Sequence, residues 1–555
     1  LSDGKAEKFS YLRKIQGQPA LDILAGALPG LVLKTPFPKT MYWPGKGGPR
    51  FVRPIRWVVA LLGEQVIPFE IAQVKSGNES SGHRKLGAAR FAVNHDNYER
   101  RLRENFVLLS AGERRARIRA VPTHYKCDNG LLNTLVNLTE WPTPITGAFD
   151  PEFLALPREV LTTVMRHHQR YFSVETPDGR LAPQFVAVTN TAGDPDGLIR
   201  RGNESVLRAR FNDARFFWDT DMKKPLRERV PDLAHVTFQA KLGSYFEKTE
   251  RMMALVRELG GDGHAERAAF LSKTDLTTEL VKEFTELQGV VGGLYARAQG
   301  ETEEVAAAIQ EQYKPESMED AIPGSRAGRI LSMADKLDTL RGCFGIGLVP
   351  SGSKDPFALR RAAQGIVKIL VEGGLRLPIR ALLGDDAALQ EFFLDRLRYY
   401  FREIRGFKYD EINAVLASGW TELVDVEERL KAIRDVRPTE NFEPLAASFK
   451  RIRNILRQAQ MNGAAGSIDP ARLEAGPEAD LYRAFEGVRT QTATLDYRGQ
   501  LSAIATLRPA VDLFFDKVLV NAQDPELRRN RLALLHNMLI ELSTIADFSE
   551  IVTNF

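Results

Sequence analysis

The run Gly347-Leu348-Val349-Pro350-Ser351-Gly352-Ser353-Lys354 has the residue types of a phosphate-binding loop. That loop needs Lys directly after its second Gly, then Ser or Thr for the metal. Here the Lys comes one place late and Asp355 follows it, so a structural turn is expected instead. It would lead into a helix over Pro356–Val371, with Asp355 as N-cap and Pro356 in the first turn. The pair His167-His168 could ligate a metal, but adjacent residues point to different faces of a helix or strand. A polar edge open to RNA is the expected role. No GxSxG, HExxH or helix-opening GxGxxG is present. Cys127 and Cys343, the two cysteines of the 555 residues, lack metal-ligand spacing and fit reduced thiols in a cytoplasmic protein.

Two aspartates carry the remaining catalytic possibility. Helical metal-dependent phosphohydrolases bind metal through a His, a His-Asp pair and a distant Asp. The segments around Asp275 (Ser272–Leu276) and Asp335 (Ala334–Asp338) resemble the last two elements, but Thr274 stands where the dyad's His belongs. Carboxylates without imidazole partners could hold a hard cation weakly, yet would not build the usual metal-activated hydroxide. A degenerate fold of this kind, without metal, is expected. The alternative is a working metal phosphohydrolase acting on RNA or nucleotides.

The elements that must position such residues are mixed at first and helical later. With 43% hydrophobic and 27% charged residues, the composition is that of a globular protein of several domains. A formal charge of +4 is too small to announce a nucleic-acid binder, so local clusters must carry that case. No apolar run is long enough to span a bilayer, and a cytoplasmic, membrane-free protein is expected. Phe51–Leu62 and Val66–Val74 read as neighbouring strands around Gly63-Glu64, and Phe185–Thr191 as another. Asn97–Arg119 reads as a helix with a solvated, arginine-rich face.

After Asn203 helical periodicity dominates. Val206, Arg210, Ala214 and Phe217 suggest one buried face ending near Asp219–Asp221. Helices are also expected over Leu276–Gly289, Val305–Gln312, Ala327–Leu340 and Leu389–Glu403, and a loop over Asn462–Pro477. The expected architecture is multidomain: an α+β region (1–200), a helical phosphohydrolase-like domain (201–378), a helical linker (379–440) and a helical C-terminal domain (441–555).

Longer strings are more specific: PRFVRPIRWVVALLG (Pro49–Gly63), RFNDARFFWDTDMKKPL (Arg210–Leu226), FQAKLGSYFEKTERM (Phe238–Met252), KTDLTTELVKEFTELQGVVGGLYA (Lys273–Ala296) and ADKLDTLRGCFGIGLVPSGSKDPFALRRAA (Ala334–Ala363). From about Pro38 onward their order and spacing resemble the β subunit of bacterial heterotetrameric glycyl-tRNA synthetase. The resemblance implies an α2β2 enzyme whose α subunit uses ATP, Mg2+ and glycine, while β grips tRNA(Gly). It implies no catalytic residue, metal or cofactor in this chain, and a middle region akin to His-Asp phosphohydrolases. It also implies a further N-terminal segment in the family's β chains. Neither HIGH nor KMSKS strings occur.

The C-terminal stretch Leu507–Ala546 is similar to the helical anticodon-binding module of arginyl-type synthetases. Pro509 opens a helix whose Val511, Phe515 and Val518 share a face, and Leu532, Leu535, Leu539 and Leu542 mark a second helix, expected to pack antiparallel on the first. Arg528, Arg529, Asn530 and Arg531 cluster near that second helix's start, where cations gain most from a nearby anion or base edge. Arg531 is the one of them expected to make a structural pair. On Ser448–Gln458 the spacing buries Phe449, Ile452 and Leu456 and turns Lys450, Arg453, Asn454 and Arg457 outward. With Arg360, Arg361, Arg200 and Arg201, these are the candidate phosphate contacts. A third reading is a tether for α with little RNA contact.

Overall fold

The structure is a computed structural model describing residues 17–43, 47–121, 125–352, 354–440, 442–459 and 466–552. The chain forms two compact units, Leu1–Phe216 and Phe217–Phe555. The boundary falls inside the helix Leu198–Asp221, and the finer divisions at 378 and 440 lie within the second unit.

In the first unit the expected long strand over Phe51–Leu62 is fragmented. Pro54 lacks a donor and fixes its own φ, and the segment from Val52 to Trp57 joins no ladder. Val58–Val59 pairs in parallel with Val74–Gly77, and Leu61–Leu62 pairs with Gln65–Val66 across a turn in which Gly63 has φ 60°. Asn97–Arg119 is likewise two helices, Tyr98–Glu104 and Ala111–Arg119, the second capped by Ser110. Phe106, at φ 62°, lies in the break between them. Their arginines are largely claimed: Arg103 pairs with Glu113 at 2.7 Å, and Arg117 covers the Trp141 ring at 4.1 Å.

The best-formed sheet is antiparallel, in the order Pro142–Ala148, Leu181–Asn190, Phe172–Glu175. One face of it packs Phe172, Val174 and Val186 against Leu131, Leu132, Leu135 and Val136 of the helix Asn129–Leu138. Gly147 sits so close over Phe185 that a Cβ there would overlap the ring. The Leu198–Asp221 helix buries Leu207, Phe211 and Ala214, whereas Val206 is 48% exposed. The expected stripe is therefore one position off at its start. Leu207, Phe211 and Ala214 fall at four- and three-residue steps, a helical spacing as good as the two four-residue steps of Val206, Arg210 and Ala214.

The second unit is helical. Arg326–Gly345 runs through its middle and packs on Tyr245–Glu258, Gly263–Leu271, Glu303–Glu311 and Leu359–Glu372. Leu276–Gly289 is no continuous helix. It is a chain of short turns: Thr274–Thr277, Glu279–Glu283 and Thr285–Leu287. Tertiary carboxylates win here: Asp221 accepts the N–H groups of Glu279 and Leu280 at 3.0 and 2.9 Å, and Asp275 accepts that of Gly289. The threonine hydroxyls bond back to local carbonyls and favour turns over helix.

The turn before the next helix also differs from expectation. Ala358 is left-handed (φ 54°), so the helix begins at Leu359 and Pro356 lies outside it. Asp355 still caps it, receiving the Leu359 and Arg360 amides at 2.8 and 3.0 Å.

Residues 379–440 pack as helices with buried apolar faces. Leu423–Val436 lies on both Leu359–Glu372 and Tyr497–Ala505. Arg429, 4% exposed, bonds the carbonyls of Val415, Gly419 and Ile545, joining this layer to the chain's end. In the C-terminal part, Arg508–Lys517 and Pro525–Leu542 each pack on Phe442–Gln458 and Pro477–Thr492 rather than chiefly on each other, which corrects the expected antiparallel pair. Arg508–Lys517 buries Val511 and Phe514, with Phe515 half-buried. Part of the expected Asn462–Pro477 loop lies outside the described residues; the rest is coil with one short turn, Pro470–Arg472.

Candidate nucleic-acid interface and a closed lysine–aspartate cluster

The amphipathic spacing of Phe442–Gln458 places its side chains as the sequence suggests. Phe449, Ile452 and Leu456 are buried, and Lys450, Arg453, Asn454 and Arg457 are exposed on the outer face. Arg453 is also tethered by Asp547 and Ser549, so part of its capacity is spent within the fold. Arg451, in the same basic run Lys450–Arg457, stacks on the Phe515 ring at 4.3 Å. Its guanidinium keeps polar edges available while the face is held.

The cluster at the start of Pro525–Leu542 divides in two. Arg531 is 4% exposed and pairs with Glu478 and Glu474, both at 2.7 Å, and donates to the Leu519 carbonyl at 3.0 Å. Asn530, 5% exposed, clasps the backbone of Asp469 at 2.8 and 3.1 Å. Both are withdrawn as RNA contacts, because their hydrogen-bonding groups are consumed in the core. Arg528 and Arg529 remain exposed, with Arg529 on Glu526 at 2.9 Å. Arg360 bonds the Gly352 carbonyl at 2.8 Å, and Arg361 is exposed beside it in sequence.

Asp335 meets ammonium groups rather than a metal, and Asp275, bonded to the Gly289 amide, feels the charge of Lys273. Lys248 lies 3.0 Å from both Asp335 and Asp338, and Lys273 lies 3.2 Å from Asp335. Thr274 spends its hydroxyl on the Leu271 carbonyl at 2.6 Å. Among the described residues no three His, Cys, Asp or Glu side chains are grouped to hold a metal. The lysines supply in place the positive charge a metal would bring, and they offer no open coordination position. Both lysines stand in the quoted strings, two places before Asp275 (Lys273) and within FQAKLGSYFEKTERM (Lys248). Only the fold brings them to the carboxylates.

Burial opposes the charge of Asp335, but Lys248, Lys273 and Lys336 outweigh it and hold the carboxyl well below its usual range. Burial pushes Asp275 up to about 6, with the Gly289 amide and Lys273 offsetting only part of the cost. Its Oδ1 has no hydrogen-bond partner among the described residues. A carboxyl raised from 3.8 to about 6 on folding favours the fold most at acid pH. That contribution is lost as pH rises through about 6, on the order of 3 kcal/mol in all. Asp275→Asn should therefore gain stability relative to the parent between pH 4 and 7, read as urea midpoints at each pH. A pH-independent difference would contradict this account of Asp275.

Comparison with known proteins identifies the family. A family model described as glycyl-tRNA synthetase beta subunit matches residues 2–417, and one described as DALR anticodon binding domain matches residues 445–548. The glycine–tRNA ligase beta subunit of Acidobacterium capsulatum is 48% identical, over 98% of this chain and 83% of that protein. Those of Geobacter metallireducens and Myxococcus xanthus are 40% and 39% identical, each over 99% of this chain and 84% and 83% of theirs. The second match begins in the Phe442–Gln458 helix and takes in both exposed arginines at 528 and 529. The chain therefore belongs to the glycyl-tRNA synthetase beta subunit family and carries a DALR anticodon binding domain.

Proposed function

We propose that this chain holds tRNA(Gly) for aminoacylation by an α subunit, in an α2β2 assembly in the cytoplasm. ATP and Mg2+ act at the α subunit, and this chain contributes no catalytic group, metal or cofactor. Its effect on rate comes from positioning the acceptor end relative to the adenylate. The observation that carries this reading is the outer face of Phe442–Gln458, inside the anticodon-binding match, where Lys450, Arg453, Asn454 and Arg457 stand exposed over a buried stripe. Arg528, Arg529 and Arg451 extend the set of exposed cations in the same domain.

Residues 201–378 are read as a fold akin to His-Asp phosphohydrolases that has given up its metal. The shared influence of Lys273 on Asp275 and Asp335 supports the kinship, and the lysines paired with Asp335 support the loss. A working phosphohydrolase is disfavoured for the same reason. The tether reading predicts no tRNA affinity for this chain alone.

The test is binding of glycine tRNA across a salt series. Each phosphate contact contributes a log–log slope of about −0.7 to −0.9. Lys450→Ala with Arg457→Ala should weaken binding and make the slope shallower by up to about two such contacts. A flat salt response of the parent chain, or an unchanged slope in the double variant, would remove these residues from the interface.

A further inference from the structure

The closed cluster has an open mouth. A cleft of about 260 Å3 lies over it, lined among others by Tyr313, Asp335, Lys336, Thr339, Phe357 and Arg361. Asp335 faces it already neutralised by Lys248 and Lys273. Lys336 is different. It is 8% exposed, and its ammonium donates only to neutral acceptors: the carbonyls of Tyr313 and Lys314 at 3.2 and 3.0 Å and the Ser332 hydroxyl at 2.7 Å. Among the described residues no carboxylate lies within ion-pair distance of it. Asp335 and Glu316 act on it only from beyond ion-pair distance and do not offset the cost of its burial, so an anion in the cleft would favour its charged form.

Arg361 stands at the rim, exposed and without an ion pair among the described residues. It belongs to the first turn of Leu359–Glu372, the end of a helix that favours negative charge. Glu316 also lines the rim and is the one acidic side chain there that Lys248 and Lys273 do not neutralise.

We propose that this cleft binds a phosphate monoester, with Arg361 forking onto the phosphate and Lys336 supplying the charge beneath it. Thr339 lines the floor, but its one proton goes to the Asp335 carbonyl and its oxygen accepts from Lys248, so it donates nothing to the phosphate. Phe357 and Tyr313 provide apolar and aromatic walls for the group esterified to the phosphate. The volume admits the phosphate with at most a small nucleoside-sized body. Two sources share this chemistry: a free nucleoside monophosphate, and the 5′-terminal phosphate of an RNA. The nucleotide arm stands or falls separately from the tRNA-holding role, whereas the RNA-terminus arm rests on that reading and deepens it.

Calorimetry on the full chain tests it with four probes: adenosine monophosphate, adenosine, and a short acceptor-like RNA duplex with a 5′-phosphate or a 5′-hydroxyl. The expected result is that the phosphorylated member of at least one pair binds at least about tenfold tighter, the scale of a charge-assisted fork. Discrimination within the first pair assigns a free nucleotide, and discrimination confined to the second assigns an RNA terminus. Arg361→Ala, an exposed position, should abolish the difference and leave the melting temperature unchanged. Lys336→Gln should weaken it as well if the variant folds. Equal binding within both pairs, or a difference that survives Arg361→Ala, would overturn the proposal.

Discussion

Arg531→Ala destabilises the C-terminal domain by about 3–5 kcal/mol, the scale for breaking a buried ion pair from one side. Glu478 is 1% exposed and would be left charged with no counter-ion, while the Leu519 carbonyl would lose its donor. The neighbouring Arg528→Ala should shift stability by less than about 0.5 kcal/mol, as exposed substitutions do. The pair separates two roles that the sequence sets side by side. Urea midpoints for both variants check it: equal shifts would mean that Arg531 does not hold the fold. Glycine tRNA binding should show the reverse order once each variant is confirmed folded, with Arg528→Ala weakening it.

The second large effect lies at Lys248. Its ammonium is 2% exposed and sits between Asp335 and Asp338, and also donates to Thr339 at 2.8 Å. Burial opposes its charge, but the two carboxylates outweigh that and raise its pKa above the ordinary lysine value. Lys248→Met keeps the length of the side chain and removes the charge, leaving Asp335 with Lys273 alone and Asp338 with the half-buried Arg251. We expect a loss of about 3–5 kcal/mol at neutral pH. The loss should shrink under acid conditions, as Asp335 takes up a proton. The sign follows from Asp335: a carboxyl held low in the fold stabilises at neutral pH, and that stability is lost as pH falls through its folded value. A pH-independent loss of stability in Lys248→Met would mean packing, not charge, is what Lys248 supplies.

Local periodicity made some elements legible and hid others. Phe442–Gln458 was readable because its buried and exposed positions repeat cleanly and nothing distant overrides them. The structural role of Arg531 was readable too, but that of Asn530 and the partners of both were not, since Glu478 and Asp469 lie 53 and 61 residues away. The acidic pair Glu474 and Glu478, four residues apart near the Pro477 helix start, was the available signal. Leu276–Gly289 misled for a similar reason: its apolar spacing suits a helix, but Asp221 and Asp275 reach in to cap short turns. Pro525–Leu542 is buried well beyond its leucine stripe, because Ala533, Leu534 and Met538 also face neighbouring helices. Family membership came from long strings, whereas their internal lysines became meaningful only once the fold closed them onto carboxylates.

The division of labour between the two subunits is the central claim, and aminoacylation with purified components tests it most directly. This chain alone should form no glycyl-adenylate. The α subunit alone should charge glycine tRNA poorly, and adding this chain should restore charging, with a smaller restoration from the Lys450→Ala, Arg457→Ala double variant. Charging by the α subunit at full rate without this chain, or adenylate formation by this chain alone, would contradict the account.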